Sequence, residues 1–340
     1  MDIKDRYIVK IIDLCVGYGR GSNEIRLVDG ISIEIHKGML TAVMGRNGSG
    51  KSTLLRSICG LQRPLSGSIM INNSPINSYS LQARAMKVSF VSTEPIHVSH
   101  MRIADLVSLG RIPHTGWFGR LSDEDRIIIS DAIAATGLTE KQDAFIDEIS
   151  DGERQRAMIA RALSQDTDII FLDEPTAFLD VINRYDIFHL LHKLTRERDK
   201  TIIFSTHDLQ LALSEADRIL LLDKKHMVHG APEDLLLSDE LSVLFNGEHL
   251  EFNRDNASLA LKKELTNEIG IQGGDSSALS FTVKALERIG FAVTRQSGKL
   301  PAVIVNETRD GCSWLLQKKS GTIELYSIYD LSLHLRNFSN

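Results

Sequence analysis

Two stretches of the chain carry residue types whose spacing suits the binding of phosphate groups. The first, residues 45–52, matches the pattern G-x-x-x-x-G-K-[ST] and follows an apolar segment, 39–44, that predicts a buried strand. Glycines let successive backbone N–H groups curl around phosphate oxygens, and the helix predicted after the loop adds its positive end. We therefore predict a nucleotide site in which Lys51 reaches the β- and γ-phosphates and Ser52 binds a magnesium ion. The residues predicted to hold the nucleotide here are Gly45, Arg46, Asn47, Gly48, Ser49, Gly50, Lys51, Ser52 and Thr53.

The second stretch is the run Ser-Asp-Gly-Glu-Arg-Gln at residues 150–155, which opens a predicted helix. The Ser150 hydroxyl, the backbone amides after it and the N-terminus of that helix would form a neutral phosphate cradle. The first loop does not need a second cradle, so each nucleotide is predicted to be shared between two copies of the chain. The residues of this cradle are Ser150, Asp151, Gly152 and Glu153.

Two adjacent carboxylates, Asp173 and Glu174, end a predicted buried strand at 169–172. Successive strand residues point to opposite sides, so the two groups can do different work. We expect Asp173 to hold the metal, generally through water, and Glu174 to orient and polarise an attacking water. His207 closely follows the predicted strand 201–205. A lone loop histidine is more often a surface residue, but its order after the carboxylates favours a hydrogen bond to the γ-phosphate.

Short apolar runs separated by predicted helices must position these groups. The runs are residues 169–172, 201–204 and 218–222. They indicate a largely parallel sheet covered on both faces. Residues 101–164 have a helical pattern, in which Ser122, three residues ahead of Asp125, predicts a helix start and Gly137 its end. The fold class is therefore α/β with a mostly helical insert.

The sequence changes character from about residue 252. The stretch 253–280 is rich in Asn, Ser, Gly and Asp and is typical of a linker. After it we predict a helix at 281–289, strands near 291–295, 301–306, 312–317 and 322–325, and a final helix near 328–336. The predicted domains are 1–252 for nucleotide binding, a linker at 253–264, and a small α+β accessory domain at 265–340. A regulatory or dimer-stabilising role and a passive structural role are both open for the accessory domain.

Composition limits the class of protein. The 340 residues are 42% hydrophobic and 25% charged, which is ordinary for a globular chain. A formal net charge of −6 and the lack of a basic stripe argue against nucleic-acid binding. No stretch approaches the roughly 18 to 20 apolar residues of a membrane helix, and residues 1–6 do not resemble a secretory signal. Cys15, Cys59 and Cys312 form no Cys-x-x-Cys pair, which suits a reduced cytosolic chain.

Taken together, these motifs make the chain similar to the nucleotide-binding subunits of ABC transporters over about residues 7–250. Lys51 and Ser52 match the Walker A motif of that family, while Asp173 and Glu174 match Walker B and the catalytic glutamate. The resemblance implies a P-loop ABC ATPase domain with a helical subdomain, with ATP and Mg²⁺ as cofactors. It also implies a head-to-tail homodimer, in which the signature helix of one copy completes the ATP site of the other.

Three further positions take their expected roles from the resemblance. The segment 177–180 resembles the D-loop and ends in Asp180, and His207 resembles the switch histidine. Tyr18 stands where the family has an aromatic residue that stacks on adenine. Stacking on a flat ring is physically reasonable, although a lone tyrosine can equally belong to the core.

Two positions depart from the commonest family pattern. Asp151 stands where glycine is most frequent, and its carboxylate would cost affinity for a polyphosphate unless it points away. Thr93 stands where a glutamine usually touches the magnesium and couples ATP to the permease. Its shorter hydroxyl could still bind a water of the metal, with neighbouring Glu94 taking a share. Lys51 and the two carboxylates are kept, so we expect hydrolysis.

Residues 110–122 resemble the equivalent stretch in the ATPases of iron-siderophore, haem and cobalamin importers. That resemblance implies two copies of a membrane permease, a substrate-binding protein outside, and a peripheral position on the inner face of the cell membrane. Within the stretch, Trp117 and Phe118 are either a permease contact or part of the insert's packing. If they contact the permease, Trp117→Ala with Phe118→Ala should weaken assembly and spare nucleotide binding. The alternative function is a soluble ABC-type ATPase, for example in metal-cluster assembly.

Overall fold

The computed structural model describes residues 7–19, 23–94, 100–116, 119–223, 226–254, 257–295, 300–308 and 311–336. The chain divides into two compact units. The first comprises Met1–Leu244 and Asn253–Ser258, and the second comprises Phe245–Phe252 and Leu259–Asn340. The short segment Asn253–Ser258 thus returns to the first unit after the chain has entered the second. The predicted domain boundaries at residues 252 and 264 stay predictions.

A mostly parallel sheet lies in the first unit. The strands of this unit are β1 (Tyr7–Tyr18), β2 (Ile25–His36), β3 (Leu40–Gly45), β4 (Ser66–Ile71), β5 (Ser74–Pro75), β6 (Val88–Val91), β7 (Ile169–Leu172), β8 (Thr201–Thr206), β9 (Arg218–Asp223) and β10 (His226–Gly230). Within the described residues the order of this sheet is β10-β9-β3-β8-β7-β6, with only β10 antiparallel to its neighbour. Every residue of β7 and β8 is buried, as expected for strands covered on both faces. The predicted α/β fold class is confirmed.

A second, antiparallel sheet in the order β2-β1-β4-β5 was not predicted as a separate layer. It pairs segments that are distant in the chain, such as Val9 with Ile71. Periodicity within one segment carries no information about such partners. One hydrophobic cluster joins residues of both sheets with Leu54 and Leu55. Because these two leucines follow the phosphate loop directly, the core holds that loop in place.

Helices cover the sheets and form the insert. They are α1 (Lys51–Ile58), α2 (Leu81–Ala85), α3 (Ile103–Ser108), α4 (Asp123–Ala135), α5 (Asp151–Ser164), α6 (Val181–Arg198), α7 (Leu209–Glu215), α8 (Pro232–Leu237) and α9 (Glu240–Phe245), with 3-10 turns at Ile76–Ser78, Leu109–His114 and Thr139–Lys141. The predicted start and end of α4 are confirmed, since Ser122 and Asp125 form a reciprocal capping box and Gly137 follows in a left-handed conformation. No helix in the described part of the chain is long and apolar enough to cross a bilayer.

A buried ion pair fastens the insert. Arg111 Nε donates to Asp125 Oδ1 at 2.8 Å, and Arg111 Nη1 donates to the Ser164 carbonyl at 2.9 Å. The backbone N–H of Ser122 and the Arg111 guanidinium lower the pKa of Asp125 to about 2. The pair therefore ties the start of α4 to the end of α5.

The second unit is a small α+β fold. It contains β11 (Leu250–Asn253), β12 (Ser258–Leu261), β13 (Asn267–Gln272), α10 (Ser277–Arg288), β14 (Phe291–Thr294), β15 (Ala302–Thr308), β16 (Gly311–Lys318), β17 (Gly321–Leu325) and α11 (Ile328–Arg336). Strands β11 and β12 pair with each other, and the larger sheet has the order β14-β13-β15-β16-β17. Its core includes Trp314, whose Nε1 donates to Thr282 Oγ1 at 2.7 Å.

The prediction of a linker over 253–280 is wrong for about half of that stretch. It contains β12, β13 and the beginning of α10, which starts at Ser277 and not at 281. The Ser276 side chain caps the helix by accepting the N–H of Leu279. In β13 only the central residues, Ile269 to Ile271, are buried. The exposed polar residues at both ends of this short strand gave it the composition of a loop.

Candidate nucleotide site

The phosphate loop leaves β3 and enters α1, as predicted. At Gly45, where φ is 155°, a Cβ atom would lie 2.5 Å from Ser49 Oγ and 2.7 Å from the Leu222 carbonyl oxygen. Gly50 caps α1 with a φ of 97°, a conformation that costs other residues strain. Glycine is therefore required at Gly45 by the close approach of neighbouring atoms, and it is favoured at Gly50 by the left-handed backbone.

The interior of the loop has unused polar groups. The Ser49 hydroxyl is buried and lacks a hydrogen-bond partner among the described residues. Lys51, with a side chain only 6% exposed, donates from Nζ to the Gly45 carbonyl at 3.0 Å. A buried ammonium group held mainly by carbonyl oxygens and a buried hydroxyl without a partner suit a polyphosphate, which supplies acceptor oxygens for both. The loop therefore fits the phosphates of ATP.

Asp173 lies at the end of β7 directly beside the loop. Its Oδ1 accepts hydrogen bonds from Ser52 Oγ at 2.9 Å and from Ser205 Oγ at 2.7 Å. The Asp173 backbone carbonyl accepts one from Thr93 Oγ1 at 2.8 Å. The structure therefore brings together the three predicted metal-binding residues. Carboxylate and hydroxyl oxygens are the donors that Mg²⁺ prefers, so this set fits the ion.

Glu174 lies between two predicted partners of the nucleotide. Its Oε1 is 3.9 Å from Lys51 Nζ, and its Oε2 is 3.5 Å from His207 Nδ1. The Glu174 backbone has a φ of 46°, and its N–H donates to Ser205 Oγ at 2.8 Å. Its carboxylate is one-quarter exposed, and His207 is mostly exposed. The pair therefore remains open to solvent beside the phosphate loop.

Tyr18 also reaches the loop. Its hydroxyl forms a hydrogen bond of 2.6 Å with Thr53 Oγ1. The residue is 54% exposed, so it does not belong to the core. An aromatic ring fixed at one end and open on its surface can stack on a purine.

The second predicted cradle is a reciprocal capping box. Ser150 Oγ accepts the N–H of Glu153 at 3.3 Å, and Glu153 Oε2 accepts the N–H of Ser150 at 3.0 Å. Hydrogen bonds to its carboxylate lower the pKa of Glu153 to about 2. The largest effect comes from Lys141, and the backbone N–H of Ser150 follows. Ser150 is exposed, so its hydroxyl is accessible to an oxygen outside the helix.

Asp151 points to its own helix. Its Oδ1 lies 2.6 Å from Arg154 Nη1, three residues along α5. The charge that would repel a polyphosphate is therefore paired with a guanidinium group. Together with Thr93 and Glu94, Asp151 and Arg154 line a cavity of about 370 Å³.

Gly152 connects this cradle to the predicted D-loop. A Cβ atom at Gly152 would lie 2.3 Å from Asn183 Oδ1, so α5 packs closely on the start of α6. Asp180 caps α6 by accepting the N–H of Asn183 at 2.8 Å, and that bond lowers the pKa of Asp180. The cradle and the D-loop thus form one packed surface.

The two phosphate-binding devices are not joined within one chain. Among the described residues no hydrogen bond or ion pair links residues 150–153 with the loop 45–52.

Trp117 and Phe118 lie outside the described residues. Sequence reasoning missed Ser205, because its place beside the carboxylates depends on the pairing of β8 with β7.

Comparison with known proteins identifies the family. The family model described as "ABC transporter" matches residues 28–177, and the one described as "Iron ABC transporter C-terminal domain" matches residues 266–336. The petrobactin import ATP-binding protein FpuD of Bacillus anthracis is 38% identical over 66% of this chain and 81% of FpuD. The chain belongs to the ABC transporter ATP-binding proteins. The iron(3+)-hydroxamate import ATP-binding protein FhuC of Bacillus subtilis (strain 168) is 36% identical to this ABC protein, over 68% of this chain and 85% of FhuC.

Solved structures agree with this assignment. A dimeric, post-hydrolysis structure of the ATP-binding cassette MJ0796 bound to ADP and Pi matches with a TM-score of 0.58 and 28% identity. The match covers 66% of this chain and 98% of that one. The ABC protein described here therefore binds and hydrolyses ATP, and it is the ATP-binding subunit of a membrane transport system.

Proposed function

We propose that this ABC ATPase powers the import of an iron-siderophore or a similar metal chelate, a class that includes haem and cobalamin. FpuD and FhuC, which it resembles over most of their length, are named for the import of petrobactin and iron(3+)-hydroxamate. The match of residues 266–336 to an iron ABC transporter C-terminal domain supports the same class of cargo.

The working assembly would contain two copies of this chain, two copies of a membrane permease, and a substrate-binding protein outside. The ATPase would lie peripherally on the inner face of the membrane. Support for the dimer comes from the two devices, which no hydrogen bond or ion pair joins within one chain, and from the exposed position of Ser150. In the dimer, Ser150, the helix start behind it and Asp180 of one copy would face the phosphate loop of the other.

Within each site we assign roles from position and chemistry. Lys51 and the amides of the loop would bind the phosphates, Tyr18 would stack on adenine, and Ser52, Asp173 and Thr93 would hold Mg²⁺. The ion, when bound, would neutralise charge that develops on the β- and γ-phosphates. Glu174 would accept a hydrogen bond from the attacking water and orient it, and His207 would donate to the γ-phosphate.

The observation that carries this mechanism is the place of Glu174. Its carboxylate lies between Lys51, which is buried, and His207, which is mostly exposed. Changing Glu174→Gln removes the acceptor charge and keeps the shape of the side chain. We expect ATP turnover to fall by roughly 10²- to 10⁴-fold, the usual contribution of a general base, with ATP affinity kept. Trapped ATP should also lengthen the life of the closed dimer, which size-exclusion chromatography with ATP would measure.

Glu124→Gln is the matched control, since Glu124 is exposed in the first turn of α4. Its turnover should equal that of the unchanged protein. Normal turnover of Glu174→Gln would refute the role of Glu174 as the water-orienting carboxylate.

The proposed cargo is tested separately from the chemistry. Co-purification of the tagged chain from membranes should recover a polytopic permease, and cells lacking the chain should take up less radiolabelled ferric siderophore. Recovery of soluble metal-cluster assembly proteins without a permease would instead favour the non-transport alternative.

A further inference from the structure

Ser205 lies at the centre of the carboxylate pair, although no motif includes it. It is the fifth residue of β8 and is fully buried. Strand β8 runs parallel to β7, so the ends of both strands meet at the same edge of the sheet. The Ser205 hydroxyl is 2.7 Å from Asp173 Oδ1 and 2.8 Å from the backbone nitrogen of Glu174.

The direction of both hydrogen bonds is fixed by chemistry. An N–H group can only donate, so Ser205 Oγ accepts from Glu174. An ionised carboxylate can only accept, so the Ser205 hydrogen points to Asp173. Ser52 also donates to the same oxygen of Asp173. The two serines therefore hold Oδ1, and Oδ2 receives no hydrogen bond from the described residues.

The hydrogen bond to Glu174 acts on a strained backbone. Glu174 has a φ of 46°, and a residue other than glycine keeps such a strained conformation only where its surroundings enforce it. This φ sets the direction in which the side chain leaves the chain toward Lys51 and His207. The acceptor that Ser205 provides satisfies the Glu174 N–H and thereby holds the peptide plane between Asp173 and Glu174.

We propose that Ser205 is a positioning residue that fixes the two adjacent carboxylates relative to each other. It holds Asp173 through its side chain and Glu174 through its backbone, with a single hydroxyl. This inference rests on the roles proposed above for Asp173 and Glu174. Because Ser205 is fully buried, we expect it to act through these two residues and not by contact with the nucleotide.

The test compares Ser205→Ala with Thr201→Val. Thr201 lies at the opposite end of β8, is equally buried, and accepts the N–H of Gly38 at 3.0 Å. Each change thus deletes one buried hydroxyl of β8, and each of these hydroxyls accepts a backbone N–H from outside the strand. Ser205→Ala should lower kcat roughly tenfold or more, raise the Mg²⁺ concentration for half-maximal activity, and leave the affinity for metal-free ATP within about twofold. Thr201→Val should lose stability without these changes.

Hydrogen exchange gives a readout that does not depend on turnover. The amide of Glu174 should exchange faster in Ser205→Ala and at an unchanged rate in Thr201→Val. Ser205→Cys, which keeps a weaker donor and acceptor at nearly the same size, should lie between Ser205→Ala and the unchanged protein, and it serves if the alanine variant folds poorly. Unchanged exchange at Glu174 in both Ser205 variants would overturn the proposal.

A double-mutant cycle separates positioning from a general structural loss. The cycle is measured at saturating Mg²⁺, so that an effect on the metal through Asp173 does not contribute. If Ser205 acts through Glu174, Ser205→Ala should then cost less than about twofold more in a Glu174→Gln background. A full tenfold further loss would show that Ser205 acts elsewhere and would overturn the proposal. If Glu174→Gln alone kept full turnover, the proposed role of Glu174 would fail, and the exchange experiment would still decide whether Ser205 holds its backbone.

Discussion

At the scale of single residues, the buried cation of the phosphate loop has few partners of its own. Lys51 donates to two backbone carbonyls and lies 3.9 Å from Glu174. Changing Lys51→Ala removes the cation that should pair with the phosphates, so we expect ATP affinity to fall roughly tenfold or more, as for a lost charge-assisted hydrogen bond. Titration with a fluorescent ATP analogue measures it. Lys37→Ala is the control, because Lys37 is half exposed and pairs with Asp199; equal affinities of both variants would contradict the role.

The atypical Asp151 permits a second prediction. Its pair with Arg154 lies on the surface, and such pairs contribute only about 0 to 1 kcal/mol to stability. Its charge, however, would face the polyphosphate of the partner copy in the proposed dimer. Changing Asp151→Asn should therefore lower the KM for ATP by about two- to fivefold, with little loss of stability. Steady-state kinetics measures the change.

Asp147→Asn is the matched control for Asp151→Asn. Asp147 is exposed and lies shortly before the same helix, so its replacement removes an equal charge outside the cradle. A similar drop in KM for both variants would point to net charge in general. An unchanged KM in Asp151→Asn would show that the Arg154 pair already neutralises the carboxylate.

Most of these site residues could be predicted because fixed local spacing carries their chemistry. Residues 45–52 and the pair Asp173 and Glu174 are recognisable as motifs, and the structure brings them together. Ser205 could not be found in that way. Its function comes from the side-by-side arrangement of β7 and β8, which a reading of one segment at a time does not contain.

At the scale of elements, the ion pair of Arg111 and Asp125 should give the insert a pH dependence. The folded pKa of Asp125, about 2, is below its ordinary value of 3.8. Stability from this group is therefore complete above about pH 4 and is lost as the pH falls through 2. Asp125→Asn should cost about 2 kcal/mol at pH 7 and roughly half of that at pH 3. Urea unfolding at both pH values measures the difference.

Asp123→Asn controls for the charge of α4. Asp123 is exposed in the first turn of the same helix. Its replacement should cost at most about 1 kcal/mol, the usual effect of an acidic residue near a helix N-terminus. A cost for Asp125→Asn that does not shrink on acidification would contradict the role of this carboxylate in the buried pair.

Periodicity and capping patterns predicted the elements unevenly. Strands that are buried throughout and have an apolar centre, such as β7 and β8, and the capped helix α4 were predicted well, because each signal lies within one segment. Strands β12 and β13 have the composition of a linker, since β12 is largely exposed and β13 buries only its central residues. A short strand with polar ends has the composition of a loop until its pairing partners are known.

At the scale of the whole molecule, the second unit has its own core and should fold alone. A fragment of residues 259–340 contains Trp314 as its single tryptophan, since the chain has two and the other is Trp117. Trp314 is 6% exposed, so its fluorescence should shift to longer wavelength in one cooperative transition in urea. Thr282→Val removes the acceptor of its N–H and should cost about 1 to 3 kcal/mol. Thr322→Val, at an exposed position of β17, should cost little. A fragment that never shows a cooperative transition would contradict independent folding.

The hypothesis that the second unit stabilises a dimer requires a surface outside the unit's own core. Helices α10 and α11 pack with Val303 and Leu316 in one core, whereas the paired Ile304 and Leu315 point to the other side of the sheet and are only half buried. If that side meets a second copy, a chain ending at residue 258 should bind ATP normally, because every predicted site residue is retained. In a Glu174→Gln background with ATP, its dimer should dissociate roughly tenfold more readily, which analytical ultracentrifugation would measure. The double change Ile304→Ser with Leu315→Ser should weaken the full-length dimer in the same way, since it removes the apolar contact and keeps the unit's core. Equal dimer stability of the full-length and shortened chains would assign the second unit a passive structural role.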